Sequence, residues 1–264
     1  MAYDVTLRLW RGEDGNGELR DYTVPVEDGE VVLDAVFRVQ ATQAGDLAVR
    51  WNCKAGRCGS CSAEVNGRPR LLCMTRLNLY PRGEPITVMP VQTFPHIRDL
   101  VTDVSYNYEM AKKVPAFAPG PPEADGSYRM AQEDIERIQE FHRCIECFLC
   151  QTVCHVIRDH EDNKQRFAGP RLFIRYAELD MHPLDTNDRR ELLGNQMGIG
   201  MCNITKCCTE VCTEDIHITD NAIIPLKERV VDTSWDPFVA LTRRLRGRGK
   251  DGGTSEGKGE GDAG

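Results

Sequence analysis

Twelve cysteines stand out in this chain of 264 residues. They fall into three groups of four: Cys53, Cys58, Cys61 and Cys73; Cys144, Cys147, Cys150 and Cys154; and Cys202, Cys207, Cys208 and Cys212. The start of the chain (Met1-Ala2-Tyr3-Asp4) has neither a basic n-region nor an apolar h-region, so no secretory signal is visible. In a reducing compartment clustered thiols are more often metal ligands or catalytic groups than disulfide partners. At this length the chain can bury its own core without covalent staples, so the expected chemistry is metal binding.

Spacing narrows the choice of metal. Cys53-x4-Cys58-x2-Cys61, with Cys73 eleven residues on, has the plant-type [2Fe–2S] pattern. Gly56 and Gly59 let that loop curl so that backbone N–H groups face the sulfurs. Cys144-x2-Cys147-x2-Cys150-x3-Cys154 is a run whose first three thiolates hold one cubane while the fourth reaches another cluster. Cys202, Cys208 and Cys212 occupy the first, third and fourth positions of a second such run, with Thr205 at the second. Pseudo-symmetry then assigns Cys144, Cys147, Cys150 and Cys212 to a [4Fe–4S] cluster. Cys154, Cys202 and Cys208 are left with an empty corner at Thr205, which favours [3Fe–4S].

Cys207 is off register and reads as a free or buried thiol; a fourth ligand to the third cluster is the alternative. Zinc also takes four thiolates, usually from paired short knuckles. A zinc-stabilised interaction module explains the clustering but not the x3 step or the crossed register. None of His96, His142, His155, His160, His182 or His217 stands in the C-x-H or C-x-x-H setting of a Rieske centre.

Around these ligands the first hundred residues read mainly as strand. Tyr3-Val5-Leu7-Leu9 and Tyr22-Val24-Val26 alternate with polar residues about a Gly-rich turn, a hairpin pattern. The apolar spacing predicts a helix over 31–44, and further short strands are expected at 47–51, 62–65 and 86–89. This is an α+β unit with one helix over a mixed sheet. A helical pattern over 97–113 leads into Pro115-Ala116-Phe117-Ala118-Pro119-Gly120-Pro121-Pro122, an extended connector. Beyond it the pattern is helical: 131–143, a helix opening at Pro170, 189–197 with Asp185 or Thr186 as cap, and 221–231. Phe141, Phe148, Phe167 and Phe173 are expected to pack around the clusters, and Trp235 to be buried in the helical unit. Arg243–Arg248 is a basic cluster that suits either lipid headgroups or solvent. The final 18 residues contain eight glycines and are expected to be disordered.

The net charge of −8 argues against nucleic acid as the main partner. No stretch reaches the ~18 consecutive apolar residues of a membrane span.

The cysteine runs, with Cys53-Lys54-Ala55-Gly56-Arg57-Cys58-Gly59-Ser60-Cys61, Leu71-Leu72-Cys73 and His96-Ile97-Arg98-Asp99-Leu100, closely resemble the iron–sulfur subunit of succinate dehydrogenase and fumarate reductase. The resemblance covers about residues 1–240. It implies a β-grasp plant-type ferredoxin domain at 1–108, a linker at 109–130, an all-α bacterial ferredoxin-like domain at 131–240 and a tail at 241–264. It also implies electron transfer from the FAD of a partner flavoprotein subunit through [2Fe–2S], [4Fe–4S] and [3Fe–4S] clusters to quinone at a membrane anchor. The chain would then be held peripherally at the cytoplasmic face of the plasma membrane. The dicarboxylate chemistry belongs to the flavoprotein, and no residue here acts as acid, base or nucleophile. Fumarate reductase running in reverse shares the same cysteine pattern, and an electron-transfer subunit of a glycolate or heterodisulfide enzyme shares only the second half. Departures from the family pattern cluster after the runs. His155 and Thr213 replace the usual prolines, and Val156-Ile157-Arg158-Asp159 and Asn203 stand where better-known members place a tryptophan and a histidine for quinone. Quinone contact is therefore expected to shift onto the membrane subunit.

Overall fold

The structure, a computed structural model, describes residues 2–235, with side chains through 232. The expected burial of the Trp235 side chain lies outside the described side chains, and the expectations for the basic cluster Arg243–Arg248 and for the tail lie outside the described residues. One mixed seven-stranded sheet is built from β1 (Tyr3–Glu13), β2 (Asn16–Val26), β3 (Ser62–Val65), β4 (Arg68–Leu71), β5 (Ile86–Met89), β6 (His96–Arg98) and β7 (Val101–Thr102). Its order is β4-β3-β5-β1-β6-β7, with β2 paired to β1 and the β1/β5 pair parallel. Helix α1 (Val32–Thr42) lays Val32, Leu33, Ala35, Val36 and Val39 onto it. They share one core with Leu7 and Leu9 of β1 and Val24 and Val26 of β2.

Two tight turns fix the register. Asp14 and Gly15 join β1 to β2 with φ of +49° and +82°, and Asn66 and Gly67 join β3 to β4 with +48° and +75°. Positive φ at both central residues is the type I′ geometry that matches strand twist. The second hairpin was not expected from sequence. Pro69 lies in β4, which runs along the sheet edge where a missing N–H is tolerated.

Two expected elements are corrected. Residues 47–51 form no strand: the Ala48 amide donates to Asp99 Oδ2 at 2.8 Å instead of to a neighbouring strand. Residues 97–113 are helical only from Ser105, in α2 (Ser105–Lys112); before that the chain runs through β6 and β7. Asp99 causes the break. Its φ is +47°, and its buried carboxylate also accepts from Gly12 N (3.0 Å) and Arg11 Nε (3.0 Å). His96 accepts from Gly15 N at Nδ1 (3.0 Å), which leaves Nε2 to donate to Asp99 O (2.9 Å). The His96–Leu100 motif thus ties β6 to the first hairpin.

The second half is helical: α3 (Gln132–Gln139), α4 (Leu149–Thr152), α5 (His155–Arg158), α6 (Pro170–Asp180), α7 (Arg190–Asn195), α8 (Cys207–Glu210) and α9 (Ile224–Trp235). Pro170 takes the first turn of α6, as its fixed φ favours. Asp188 Oδ1, rather than Asp185 or Thr186, accepts from the Arg190 amide at the start of α7. Asp185 instead pairs with Arg189 at 2.8 Å, both side chains at or near zero exposure. Arg189 also donates to Pro115 O and Ala116 O, Thr186 N to Ala118 O and Gly120 N to Leu184 O. The proline-rich connector is therefore strapped along the helical half.

Candidate iron–sulfur centres

The first cysteine loop curls at three left-handed residues, Lys54 (φ +57°), Gly56 (+66°) and Gly59 (+69°). This turns the Ala55 and Arg57 amides onto Cys53 Sγ at 3.4 and 3.2 Å, and the Cys53 amide onto Cys58 Sγ at 3.5 Å. A backbone bond from Leu72 N to Cys61 O (3.1 Å) brings Cys73 beside Cys61. Burial pushes the Cys61 thiol up to about 12, against a backbone hydrogen bond from Cys73 that pulls it down. Burial also opposes ionisation at Cys58, but hydrogen bonds from Ser60 and the Cys53 amide outweigh it and hold that thiol at about 7. Cys53 is exposed, so this centre has one edge at the surface.

The two later runs are the same piece of structure used twice, 58 residues apart, with Cys144 matched to Cys202. A 3-10 turn at Phe141–Arg143 corresponds to one at Ile199–Met201, and α4 corresponds to α8. Left-handed Glu146 (+56°) and Phe148 (+60°) correspond to Ile204 (+62°) and Lys206 (+64°). Bonds from Cys154 N to Gln151 O and from Cys212 N to Thr209 O, each 3.2 Å, close the two short helices alike. In this superposition Cys147 falls on Thr205, and Cys207 falls on Leu149, a buried core residue.

The cysteines cross between the repeats. Cys144, Cys147, Cys150 and Cys212 line one cavity, walled by Phe148, Arg171 and Ile216 among others. Cys154, Cys202 and Cys208 line a second cavity, together with Thr205, Cys207 and Phe167. Each run thus sends its last cysteine to the other run's cavity. The Ile216 amide reaches Cys212 Sγ at 3.4 Å, and Thr219 Oγ1 lies 3.4 Å from Cys208 Sγ. Cys207 Sγ donates to Val153 O at 3.4 Å and sits 3.3 Å from Thr205 Oγ1, so this thiol already has a backbone partner. His155 and Asn203 border the second cavity, whereas Arg158 pairs with its neighbour Asp159 at 2.8 Å. Phe141, Phe148, Phe167 and Phe173 are buried as expected.

The donor sets fit iron–sulfur clusters on their chemistry. Burial pushes the thiols of Cys147 and Cys154 up to about 11 and about 12, and Cys150 well above its usual range. Such groups become thiolates at neutral pH only beside cationic metal, whose binding displaces their protons. Among the described residues no group of three or more His, Cys, Asp or Glu converges on a single ion. The thiols line two cavities, an arrangement that suits a polynuclear group with iron at separate corners.

The first centre abuts the second. A Cβ on Gly59 would lie 2.4 Å from Cys147 Cα, so only glycine allows this approach. Ser62 Oγ donates to Cys147 O at 2.8 Å, and Arg57 pairs with Glu214 at 3.2 Å. Three nearby residues were not singled out as functional from the sequence: Ser62, Arg171 and Thr213, whose side chain hydrogen-bonds the Cys147 thiol. Only Thr213 left a trace, as the replacement for the usual proline after Cys212.

A glycine-rich thiol loop on a sheet unit, packed against a helical repeat whose thiols cross between two cavities, defines a multi-centre iron–sulfur electron-transfer protein. Residues 6–109 match the 2Fe-2S iron-sulfur cluster binding domain, and residues 140–216, which span both repeats, match the 4Fe-4S dicluster domain. The fumarate reductase iron-sulfur subunit of Mycobacterium tuberculosis (strain CDC 1551 / Oshkosh) is 34% identical over 204 residues, covering 74% of this chain and 79% of that protein. The succinate dehydrogenase iron-sulfur subunit of Bacillus subtilis (strain 168) is 30% identical over 215 residues, 75% of this chain and 81% of that one. Among solved structures, a chain of the Mycobacterium smegmatis Sdh1 complex in the apo form is 65% identical, with a TM-score of 0.87 over 90% of this chain and 100% of that chain. The chain belongs to the iron–sulfur subunits of succinate dehydrogenase and fumarate reductase.

Proposed function

We propose that this subunit carries electrons from the FAD of a flavoprotein partner to quinone at a membrane anchor, in a succinate:quinone oxidoreductase. The observation that carries this reading is the crossed repeat with Thr205 in place of one cysteine. Cys53, Cys58, Cys61 and Cys73 hold a [2Fe–2S] cluster; Cys144, Cys147, Cys150 and Cys212 a [4Fe–4S] cluster; and Cys154, Cys202 and Cys208 a [3Fe–4S] cluster. Bound clusters supply one-electron redox chemistry. The chain's own residues fix the order and spacing of the centres. Gly59 and Ser62 bring the first against the second, and the shared helices α4 and α8 hold the second against the third. The first half is a β-grasp ferredoxin domain over 1–108, joined through 109–130 to the helical domain at 131–240.

The exposed edge at Cys53, flanked by exposed Trp51 and Met74, faces the flavoprotein. No helix among the described residues is long and apolar enough to cross a membrane. Attachment to the cytoplasmic face of the plasma membrane therefore falls to the anchor subunit. The anchor also supplies most of the quinone site, because Val156-Ile157-Arg158-Asp159 and Asn203 stand where better-known members of the family place a tryptophan and a histidine. In the assembled complex, succinate-driven quinone reduction is the expected activity. Replacing Asn203 and Arg158 together leaves the apparent quinone affinity within about twofold, a change under ~0.5 kcal/mol; a tenfold loss would contradict this placement. Zinc in place of iron on metal analysis would contradict the redox reading as a whole. Relatives carry both the succinate dehydrogenase and the fumarate reductase names. A redox titration of the third centre against the quinone pool decides the direction.

A further inference from the structure

Arg171 lies in the first turn of α6 and lines the cavity of Cys144, Cys147, Cys150 and Cys212. The residue is 9% exposed, and its Nε has no hydrogen-bond partner. Its Nη2 donates to Glu146, whose side chain is 49% exposed. Glu146 belongs to the ligand loop itself, held at φ +56° between Cys144 and Cys147. A buried guanidinium needs both an opposing charge and acceptors for all its N–H groups. One half-exposed carboxylate meets that need in part. Arg171 lines that cavity, and its unpartnered Nε–H leaves the guanidinium in need of a further acceptor, which a negative group in the cavity would supply. Four cysteine thiolates around an iron–sulfur core supply one, because such a cluster is anionic when oxidised and more so when reduced.

We infer that Arg171 sets the reduction potential of the second centre, raising it by placing a buried positive charge on the cluster's wall. This rests on the ligand set proposed above. A cation in a low-dielectric wall stabilises the more negative, reduced form more than the oxidised form. Glu146 offsets part of that charge, so the two residues act on the potential with opposite signs. The third centre has a different electrostatic wall: Lys206, at its edge, is half exposed and paired with Asp220 at 2.7 Å.

The test is a redox titration of the assembled complex, following each centre by low-temperature EPR. At the wild-type midpoint of the second centre, Arg171→Met is expected to lower the ratio of reduced to oxidised cluster at least tenfold, which is 59 mV for a one-electron couple. Arg171→Lys gives a smaller shift of the same sign, and Glu146→Gln shifts the midpoint upward. The first and third centres move less in every variant. An unchanged midpoint in Arg171→Met with the second signal intact overturns the inference, as does a downward shift in Glu146→Gln. If Arg171→Met does not assemble the second centre, Glu146→Gln decides: an upward shift supports the inference, and none overturns it. Failure of the ligand assignment shows separately, as a Cys144→Ser variant that keeps the second centre's signal.

Discussion

The run 144–154 and the run 202–212 share their turns, short helices and left-handed residues, yet differ at one corner, Cys147 against Thr205. Their surroundings differ as well. Cys147 is pressed against Gly59 and accepts from Ser62, so the first repeat is locked to the sheet unit. Thr205 is exposed, so the second repeat presents its missing corner to the outside. On the ligand sets proposed above, one backbone serves two different clusters. The number of thiolates decides which cluster forms, and the neighbours decide whether it faces another centre or a partner.

The sharpest way to break the comparison is Thr205→Cys. It restores the missing ligand and should convert the third centre to a cubane, abolishing its oxidised EPR signal; a variant that keeps the full signal would show that the corner is not at Thr205. Next come the crossing residues. Cys212→Ser should disrupt the second centre while sparing the third, and Cys154→Ser should do the reverse, as read from the separate EPR signals. Loss of the opposite centre in each variant would mean that the runs do not cross.

A smaller effect is expected at the contact between the units. Gly59→Ala forces a Cβ onto Cys147 at a positive φ and should cost at least about 1–3 kcal/mol. The second centre should become labile to chelator while the third is unaffected; equal lability of both would break the asymmetry. The smallest effect belongs to Cys207→Ser. Cys207 matches Leu149 rather than a ligand, so all three centres should persist with stability changed by about 0.5–1 kcal/mol in a thermal melt. Loss of the third centre would make Cys207 its fourth ligand.

Much of this was legible in the sequence, because ligand spacing is a local property. The offsets of Cys202, Cys208 and Cys212 against the first run set Thr205 opposite Cys147 in the repeat, and the structure groups Cys154, Cys202 and Cys208 around one cavity together with Thr205 and Cys207. The strands at 3–9 and 22–26 followed from period-2 alternation and α1 from its apolar face, and the short strands expected at 62–65 and 86–89 are also present. What was not legible depended on distant contacts. The spacing of Ile97, Leu100 and Val101 imitates a helix, but Asp99 gathers Arg11, Gly12 and Ala48 from elsewhere in the chain and forces strands. The strand expected at 47–51 yields to the same carboxylate. Glu146, Phe148, Ile204 and Lys206 have no intrinsic preference for positive φ, so the curl of the ligand loops could not be read from their types. Nothing in its sequence setting marked Arg171, which the fold places on the wall of the cavity lined by Cys144, Cys147, Cys150 and Cys212.

The most direct test of the central claim is low-temperature EPR on the oxidised, iron-replete protein. A [3Fe–4S] centre at Cys154, Cys202 and Cys208 predicts a signal of about one spin per chain, because oxidised [2Fe–2S] and [4Fe–4S] centres are silent. A silent spectrum from a sample with its full iron content would mean that a fourth ligand closes the third centre, and would contradict the vacancy at Thr205.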